Sequence, residues 1–338
     1  MALDYIQGFA DWDIANLAYE IPGATGTLSI VDGARSGESK ALRAVGNATV
    51  PFSVSSASTK YLCVRFKRVS GVTDYASVKF MEGSTPHVSI VFATDYSLKA
   101  VRGEAAGTVL SSVASAYSAN TWVQLVIKVV VHDTTGTVEV RVNGSTTPII
   151  VLTGQDTRNG LTGVIDAISI VNAGSDTVEI MDLAAWTDSG ETPNGWVKDT
   201  RVDTYLVNGA GSSTQYTPSA GANYQCVDEV QSDGDTTYNQ SSTNGHVDLF
   251  TLANMTHVPS TIHAVAVTVV ASKTAEGAAT VKAKLKAGAT TVAGSEQTLN
   301  FSTYNRGIFA KGTNPDTSLP FTISDVNALE IGYESVIS

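Results

Sequence analysis

The most regular hydrophobic pattern in the chain lies in residues 121–144. An apolar run over Trp122–His132 precedes a polar turn ending at Gly136, and valines then alternate with polar residues over Thr137–Val142. A continuous apolar run predicts a strand covered on both faces, whereas strict alternation predicts a strand with one face in water. With the positive-φ turn that Asn143-Gly144 favours, the pattern predicts a β-hairpin.

Shorter strand-like segments lie on both sides of this hairpin. Lys60–Val69 predicts a strand whose Leu62, Val64 and Phe66 point inward. Further segments of similar length are predicted over Tyr75–Glu82, His87–Thr94, Ser97–Arg102, Gly163–Asn172 and Thr177–Trp186. Short, evenly spaced strands without a sustained helical period are typical of a β-sandwich.

A polar stretch rich in glycine and proline interrupts the strand pattern at residues 189–195. The pattern resumes with an alternating segment, Asp199–Leu206, and continues toward the C-terminus. Linker composition between two strand-rich halves indicates two domains. The sequence therefore predicts an all-β chain with a β-sandwich over residues 1–190, a linker over 191–198 and a smaller β-sandwich over 199–338.

Composition agrees with this assignment and narrows the classes of function. The chain has 338 residues, of which 43% are apolar and 16% charged, as in a folded protein. A net charge of −11 argues against nucleic acid or an anionic membrane surface as a partner, because both require clustered Lys and Arg. The longest apolar-rich segment, near Ile262–Ala271, is far too short to span a bilayer. No secretory signal opens the chain, so we expect release by lysis if the protein acts outside a cell.

The cysteines and histidines provide no disulfide framework and no zinc site. Cys63 and Cys226 fall in different predicted domains, and two buried free thiols are favoured over a disulfide. The five histidines are scattered without zinc-ligand spacing: His87, His132, His246, His257 and His263. We expect them to be ordinary surface or strand residues.

Four motifs follow one another in the N-terminal half. They are Trp122 at the start of an apolar strand, Gly-x-Val-x-Val-x-Val-Asn-Gly at 136–144, Ile-Asp-x-Ile-x-Ile at 165–170 and Asp-Leu-Ala-Ala-Trp-Thr-Asp at 182–188. In this order they resemble the concanavalin A-like, laminin-G-type jelly roll over roughly residues 1–190. The resemblance implies that the tryptophan and the alternating valines fill the space between two sheets.

The C-terminal half contains short blocks in a fixed order. The blocks are Arg201–Leu206, Gly211–Tyr216, Tyr224 with Val227–Glu229, Asp235–Tyr238, Pro259–Ile262 and Asp325–Glu330. They resemble a domain of tailed-bacteriophage virion proteins. The resemblance implies a structural protein that is assembled in the host cytoplasm, released by lysis and surrounded by other virion proteins. It favours a tail-associated fibre or adhesion component that contacts host surface glycans, and the alternative is a capsid decoration protein that bridges capsid subunits. Sandwich edges and faces also favour a homo-oligomer, either a trimer or a ring.

The sequence offers no convincing catalytic site. Glycoside hydrolysis needs two carboxylates about 5–10 Å apart in one cleft. Glu179 and Asp182 are the nearest pair, but a spacing of three on a strand predicts that they point to opposite faces. No nucleophile elbow, phosphate loop or His-Glu-x-x-His motif is present. We therefore expect no enzyme activity, no catalytic residue and no cofactor apart from calcium, which stays open.

Two kinds of ligand site have candidate residues. Laminin-G-type domains hold calcium at one rim, which directs attention to Asp156, Asp166, Asp182 and Asp188; the pair Asp233 and Asp235 forms a second oxygen-rich turn. Short acidic turns are more often solvated than metal-bound.

Sugar binding requires exposed aromatic rings with polar neighbours. The candidates of that type are Trp12, Tyr75, Tyr96 and Tyr117, and each has core packing as its alternative.

Overall fold

The computed structural model describes residues 3–12, 20–35, 39–70, 75–160 and 162–337. It confirms the prediction of an all-β chain built on β-sandwich architecture. The chain forms two compact units, the first comprising Met1–Ala10 with Ile21–Asp203 and the second Asp11–Glu20 with Thr204–Ser338. The linker predicted at 191–198 thus lies within the first unit, because its side chains bind that unit's sheet.

The first unit is built from antiparallel strands. In chain order they are β1 (Leu3–Gln7), β2 (Thr25–Asp32), β3 (Lys40–Ala57), β4 (Thr59–Ser70), β5 (Ala76–Glu82), β6 (Thr85–Phe92), β7 (Leu98–Arg102), β8 (Thr108–Val113), β9 (Val123–Val130), β10 (Gly136–Val142), β11 (Ile150–Gln155), β12 (Ile165–Asn172) and β13 (Thr177–Trp186). The predicted hairpin is confirmed, since β9 and β10 pair in antiparallel register from Leu125↔Val142 to Val130↔Thr137.

The long strand β3 belongs to both layers of the sandwich. Its first part pairs with β2 and β13, and its later part pairs with β12. One layer therefore runs β11-β10-β9-β4-β13-β3 and the other β3-β12-β5-β6-β7-β8, while β1 pairs with the end of β13. The two edge strands, β8 and β11, contact each other, so the layers also meet on the side away from β3.

The core of the first unit follows the predicted alternation. Leu62, Val64 and Phe66 of β4 are fully buried, as are Val138 and Val140 of β10. Inward positions on adjacent strands pair across the sheet, which packs apolar side chains into one layer between the two sheets. The other face of β4 carries alternate residues, and these form the candidate site.

The second unit is a smaller β-structure. Its strands are β14 (Val207–Ala210), β15 (Thr217–Pro218), β16 (Asn239–Gln240), β17 (Val247–Leu252), β18 (Val265–Ala271), β19 (Ala279–Ala287), β20 (Thr290–Ala293), β21 (Gln297–Thr298), β22 (Asn305–Lys311) and β23 (Glu330–Ile337). The main sheet has the order β14-β17-β23-β19-β20, and β18 pairs with β22. A 3-10 helix spans Asn223–Cys226, and a short α-helix, Ile323–Asn327, is capped by Thr322.

The core of the second unit lies between β18–β22 and the main sheet. Val267, Leu285, Phe309 and Leu329 are among its buried members. The strand predicted over Asp199–Leu206 is wrong, since no strand occurs there and β14 begins at Val207. Residues 199–202 instead direct polar groups toward the sheet of the first unit.

Candidate functional site

Five residues on neighbouring strands form a row across the outer face of the β4–β13 layer. The strand register pairs Ser29 with Arg43, Arg43 with Glu179, and Glu179 with Lys67. Trp122 precedes β9 and lies opposite Lys67, because Val123 pairs with Phe66. Directly opposed residues point to the same face, and strands lie about 4.8 Å apart, so the row spans about 19 Å. We call these five residues the Arg43–Trp122 row.

A buried carboxylate holds the two cations of the row. The Glu179 side chain is 1% exposed, and its Oε1 accepts hydrogen bonds from Arg43 Nε at 2.9 Å and Arg43 Nη2 at 2.5 Å. The Lys67 ammonium group pairs with the other carboxylate oxygen, Oε2. Charge-assisted bonds of this kind are strong and directional. Glu179 therefore fixes the positions of both cationic groups.

The row presents cationic and aromatic groups to solvent above the buried acid. The side chain of Arg43 is 38% exposed and that of Lys67 is 16% exposed. Trp122 and Ser29 are half-buried. The Lys67 Nζ atom lies 4.8 Å from the centre of the Trp122 ring, within the range of a cation–π contact. An aromatic ring with a cation over it and fixed N–H donors thus share the outer face of the sheet.

A second carboxylate, Asp182, lies on the same face as Glu179. It contacts Arg65 at 3.1 Å, whereas Glu179 contacts Lys67, and these two cations are alternate residues of β4. The prediction that the two carboxylates face opposite sides is therefore wrong. The two carboxylates share a face because a β-bulge lies between Met181 and Ala184, where Asp182 has a φ of +52°. The inserted residue shifts the alternation by one position.

Asp182 is fully engaged by its surroundings. Arg35 Nη2 donates to both carboxylate oxygens at 2.6 and 2.7 Å, and the Val202 backbone N–H donates at 2.9 Å. Burial raises the pKa of the Asp182 carboxyl, and the hydrogen bonds from Arg35 oppose that rise. The carboxylate is thus positioned to hold Arg35 and Arg65 in place.

The segment of residues 194–202 covers the sheet face beside the row. Trp186 Nε1 donates to the Gly195 carbonyl at 3.0 Å, and the Arg141 guanidinium lies 3.9 Å from the centre of the Trp196 ring. Asp199 pairs with Arg65 farther along the segment. This packing explains why the predicted linker, residues 191–198, belongs to the first unit.

The aromatic residues predicted as sugar contacts have different environments. Tyr75 and Tyr96 are exposed, whereas Tyr117 is buried and its hydroxyl contacts Arg68 and the Ala93 carbonyl. Trp12 is buried in the second unit, where its carbonyl accepts from Gln231 at 2.6 Å. Core packing is therefore the correct alternative for Trp12 and Tyr117.

Trp122 is the aromatic residue that the sequence did not single out as a ligand contact. We expected it to fill the space between the sheets, but its pairing opposite Lys67 places it on the outer face. In the apolar run that follows Trp122, residues at both odd and even positions are buried, so alternation does not show which face Trp122 lies on. Only the pairing of β9 with β4, whose residues do alternate, indicates that Trp122 lies on the outer face.

The candidate calcium ligands are not brought together. Asp156 pairs with Arg102, Asp166 accepts the Gly83 N–H at 2.9 Å, and Asp188 is exposed. In the second unit, Asp233 accepts from Thr237 and Asp235 from the Tyr304 hydroxyl. Within the described residues, no group of three or more His, Cys, Asp or Glu side chains is arranged to hold a metal ion.

The two cysteines are free and buried, as predicted. Cys63 lies on the outer face of β4, where its sulfur is 2.7 Å from the Thr200 hydroxyl. Burial raises the pKa of the Cys63 thiol to about 11. In the described part of the chain, no helix has the length and apolar character needed to cross a membrane.

Comparisons with known proteins give only distant structural matches. No protein-family model matches the chain, and no curated protein sequence matches it either. A carbohydrate-binding module, CBM66 from Bacillus subtilis, matches with 12% identity and a TM-score of 0.34, covering 49% of this chain and 97% of that one. Domain 4 of the arabinanase AbnA from Geobacillus stearothermophilus, in complex with arabinotriose, matches with 15% identity and a TM-score of 0.37. This match covers 55% of this chain and 92% of that one. The Emp46p carbohydrate recognition domain matches with 10% identity and a TM-score of 0.36, covering 57% of this chain and 97% of that one.

All three TM-scores lie below 0.5. The fold and the site on their own define a jelly-roll-like β-sandwich with a cationic and aromatic row on the outer face of one sheet.

Proposed function

We propose that the first unit is a non-catalytic carbohydrate-binding domain whose ligand lies on the Arg43–Trp122 row. The observation that carries this proposal is the half-exposed Trp122 ring beside two cations that a buried carboxylate holds in place. The apolar face of a sugar stacks on an aromatic ring, while its oxygen atoms accept from fixed N–H donors. Because the donors are already positioned, a ligand loses little free energy in ordering them.

The proposal that the domain is non-catalytic is supported by the state of its two acidic residues. Glu179 and Asp182 are each held by two cations and are almost completely buried. A hydrolase of the usual kind needs one carboxyl group that donates a proton and another that reaches the sugar or a water molecule. The contacts of both side chains suit a role in holding the cations.

We propose a virion as the setting of this binding activity, with the chain in a tail-associated adhesion or fibre component. Support comes from the order of the short blocks between Arg201 and Glu330, which resemble a phage virion domain. Other virion proteins would be its partners, and a trimer or ring would multiply weak sugar contacts into firm attachment. The alternative is a capsid decoration protein, and cryo-electron microscopy of separated heads and tails distinguishes the two by position and copy number.

Binding to an array of bacterial surface glycans, followed by calorimetry on the ligands found, tests the proposed activity. We expect Trp122→Ala to weaken binding by about tenfold, the value of a stacking contact of roughly 1.4 kcal/mol. Tyr96→Ala is the matched control, since Tyr96 is exposed in the same unit but lies outside the row. Loss of binding in Tyr96→Ala alone would move the site to another part of the sandwich. Absence of any glycan binding, or release of sugar products, would refute the proposal.

A further inference from the structure

We infer that the ligand of the Arg43–Trp122 row is an acidic saccharide, one that carries a carboxylate, sulfate or phosphate group. This inference rests on the proposed carbohydrate binding and specifies the class of sugar. The exposed polar groups of the row are almost all donors. Arg and Lys carry no acceptor, and the indole N–H of tryptophan is likewise a donor only.

The acceptor capacity of the row is already used within the protein. Glu179 is 1% exposed, and both of its oxygens are engaged by Arg43 and Lys67. A neutral sugar hydroxyl needs an acceptor for its proton as well as a donor for its oxygen. Ser29 is the one side chain of the row that can accept in this way. A donor-rich surface is instead matched by a group that only accepts, which describes an anion.

Arg43 has N–H groups available for such an anion. Glu179 occupies Nε and Nη2, and no described residue accepts from Nη1. Arg43 and Lys67 lie two strands apart, or about 10 Å between their backbones, and their side chains converge on the carboxylate between them. An acidic group seated above Glu179 would therefore reach both cations, while its sugar ring would extend toward Trp122.

The local charge favours an anion although the chain is acidic overall. Within the row, two cations face one acid, giving a net charge of +1 in a chain whose net charge is −11. The neighbouring group on the same face is balanced, since Arg35 and Arg65 meet Asp182 and Asp199. The row thus carries a net positive charge, and solvent reaches the side chains of both its cations.

Matched pairs of oligosaccharides test the inference on the full-length chain without any substitution. The probes are an oligouronate, a sialylated and a sulfated oligosaccharide, each compared with its carboxyl-reduced, desialylated or desulfated counterpart by calorimetry. We expect at least one acidic member to bind about tenfold or more tightly than its neutral counterpart. We also expect its affinity to fall as salt concentration rises, because salt screens exposed charges. Comparison of the three pairs shows which anion is preferred.

Two substitutions then locate the contact. Arg43→Gln should remove most of the preference for the acidic member, and Arg43→Lys should retain part of it. Lys40→Gln is the control, because Lys40 lies on the same strand but pairs with the exposed Asp32 outside the row.

Equal, salt-independent binding of acidic and neutral members would overturn the acidic class and leave carbohydrate binding intact. An acidic preference that survives Arg43→Gln unchanged would overturn the assignment to the row. Failure of every probe and of the glycan array would overturn the proposed function itself.

Discussion

Glu82, at the end of β5, is the side chain whose contribution to stability can be worked out most directly. Its carboxylate accepts from the backbone N–H groups of Thr162 at 3.2 Å, Gly163 at 2.9 Å and Val164 at 3.3 Å. It also accepts from the Thr162 hydroxyl at 2.5 Å and lies 2.9 Å from His87 Nε2. One carboxylate thereby ties the end of β5 to the segment that precedes β12. We predict that Glu82→Gln destabilises the first unit.

The size of this effect follows from the pKa of Glu82. Burial alone would raise that pKa, but the hydrogen bonds of Thr162, Gly163 and His87 outweigh it and lower the value from 4.5 to about 2. At 1.36 kcal/mol per pKa unit, this drop corresponds to about 3 kcal/mol. The side chain is 12% exposed, so screening by solvent reduces our expectation to about 2 kcal/mol. Because the folded-state pKa is depressed, the stabilisation is complete above about pH 4.5 and is lost as pH falls toward 2.

Urea denaturation of both proteins between pH 7 and pH 3, followed by tryptophan fluorescence, measures this contribution. The free energy of unfolding should differ by about 2 kcal/mol at pH 7, and the difference should shrink steadily below pH 4.5. Glu104→Gln is the control, since Glu104 pairs with Lys79 of the same strand but is 58% exposed and should contribute little. A difference below about 0.5 kcal/mol at pH 7, or one that grows as pH falls, would refute the assigned role of Glu82.

Two further predictions concern the outer face of β4. Asp182→Ala should lower the free energy of unfolding by about 3 kcal/mol, because Arg35 and Arg65 lose a shared buried counter-ion. Urea denaturation measures this loss, with Asp32→Ala as the control because Asp32 belongs to an exposed ion pair. A loss in Asp182→Ala no larger than the loss in Asp32→Ala would contradict the prediction. Cys63 should resist alkylation by iodoacetamide at pH 8 in the native protein, because burial raises its pKa to about 11, and should react after denaturation. Rapid native labelling, detected by mass spectrometry, would show that the thiol is accessible.

The parts of the fold that depend on simple alternation were predictable from sequence. The β9–β10 hairpin and the inward positions Leu62, Val64 and Phe66 are correct because each lies in an uninterrupted strand, where the period of two holds along its length. The segment 194–202 was not predictable in the same way. The polar stretch that leads into it, residues 189–195, has the glycine and proline content of a linker. Only the three-dimensional positions of Trp196 and Asp199 show that the segment packs on the sheet.

The candidate site was largely hidden because its residues are distant in sequence. Arg43, Lys67, Trp122 and Glu179 become neighbours only through the register of four strands. The bulge at Asp182 added a second obstacle. Glycine is the residue that adopts a positive φ most freely, so an aspartate in that conformation provides little warning that the alternation shifts.

The same contacts that order the row also couple ligand binding to the stability of the sandwich. Glu179 is buried at the centre of the layer, so its charge is tolerated only because Arg43 and Lys67 neutralise it. Removing either cation therefore changes the environment of a buried carboxylate as well as the ligand surface. Trp122 differs, since it lies at the end of the row, beyond Lys67, and makes no ion pair. A loss of affinity in Trp122→Ala consequently reports on the ligand more directly than a loss in a variant of either cation. For that reason the aromatic residue defines the position of the site, and the cations define the chemistry of what binds there.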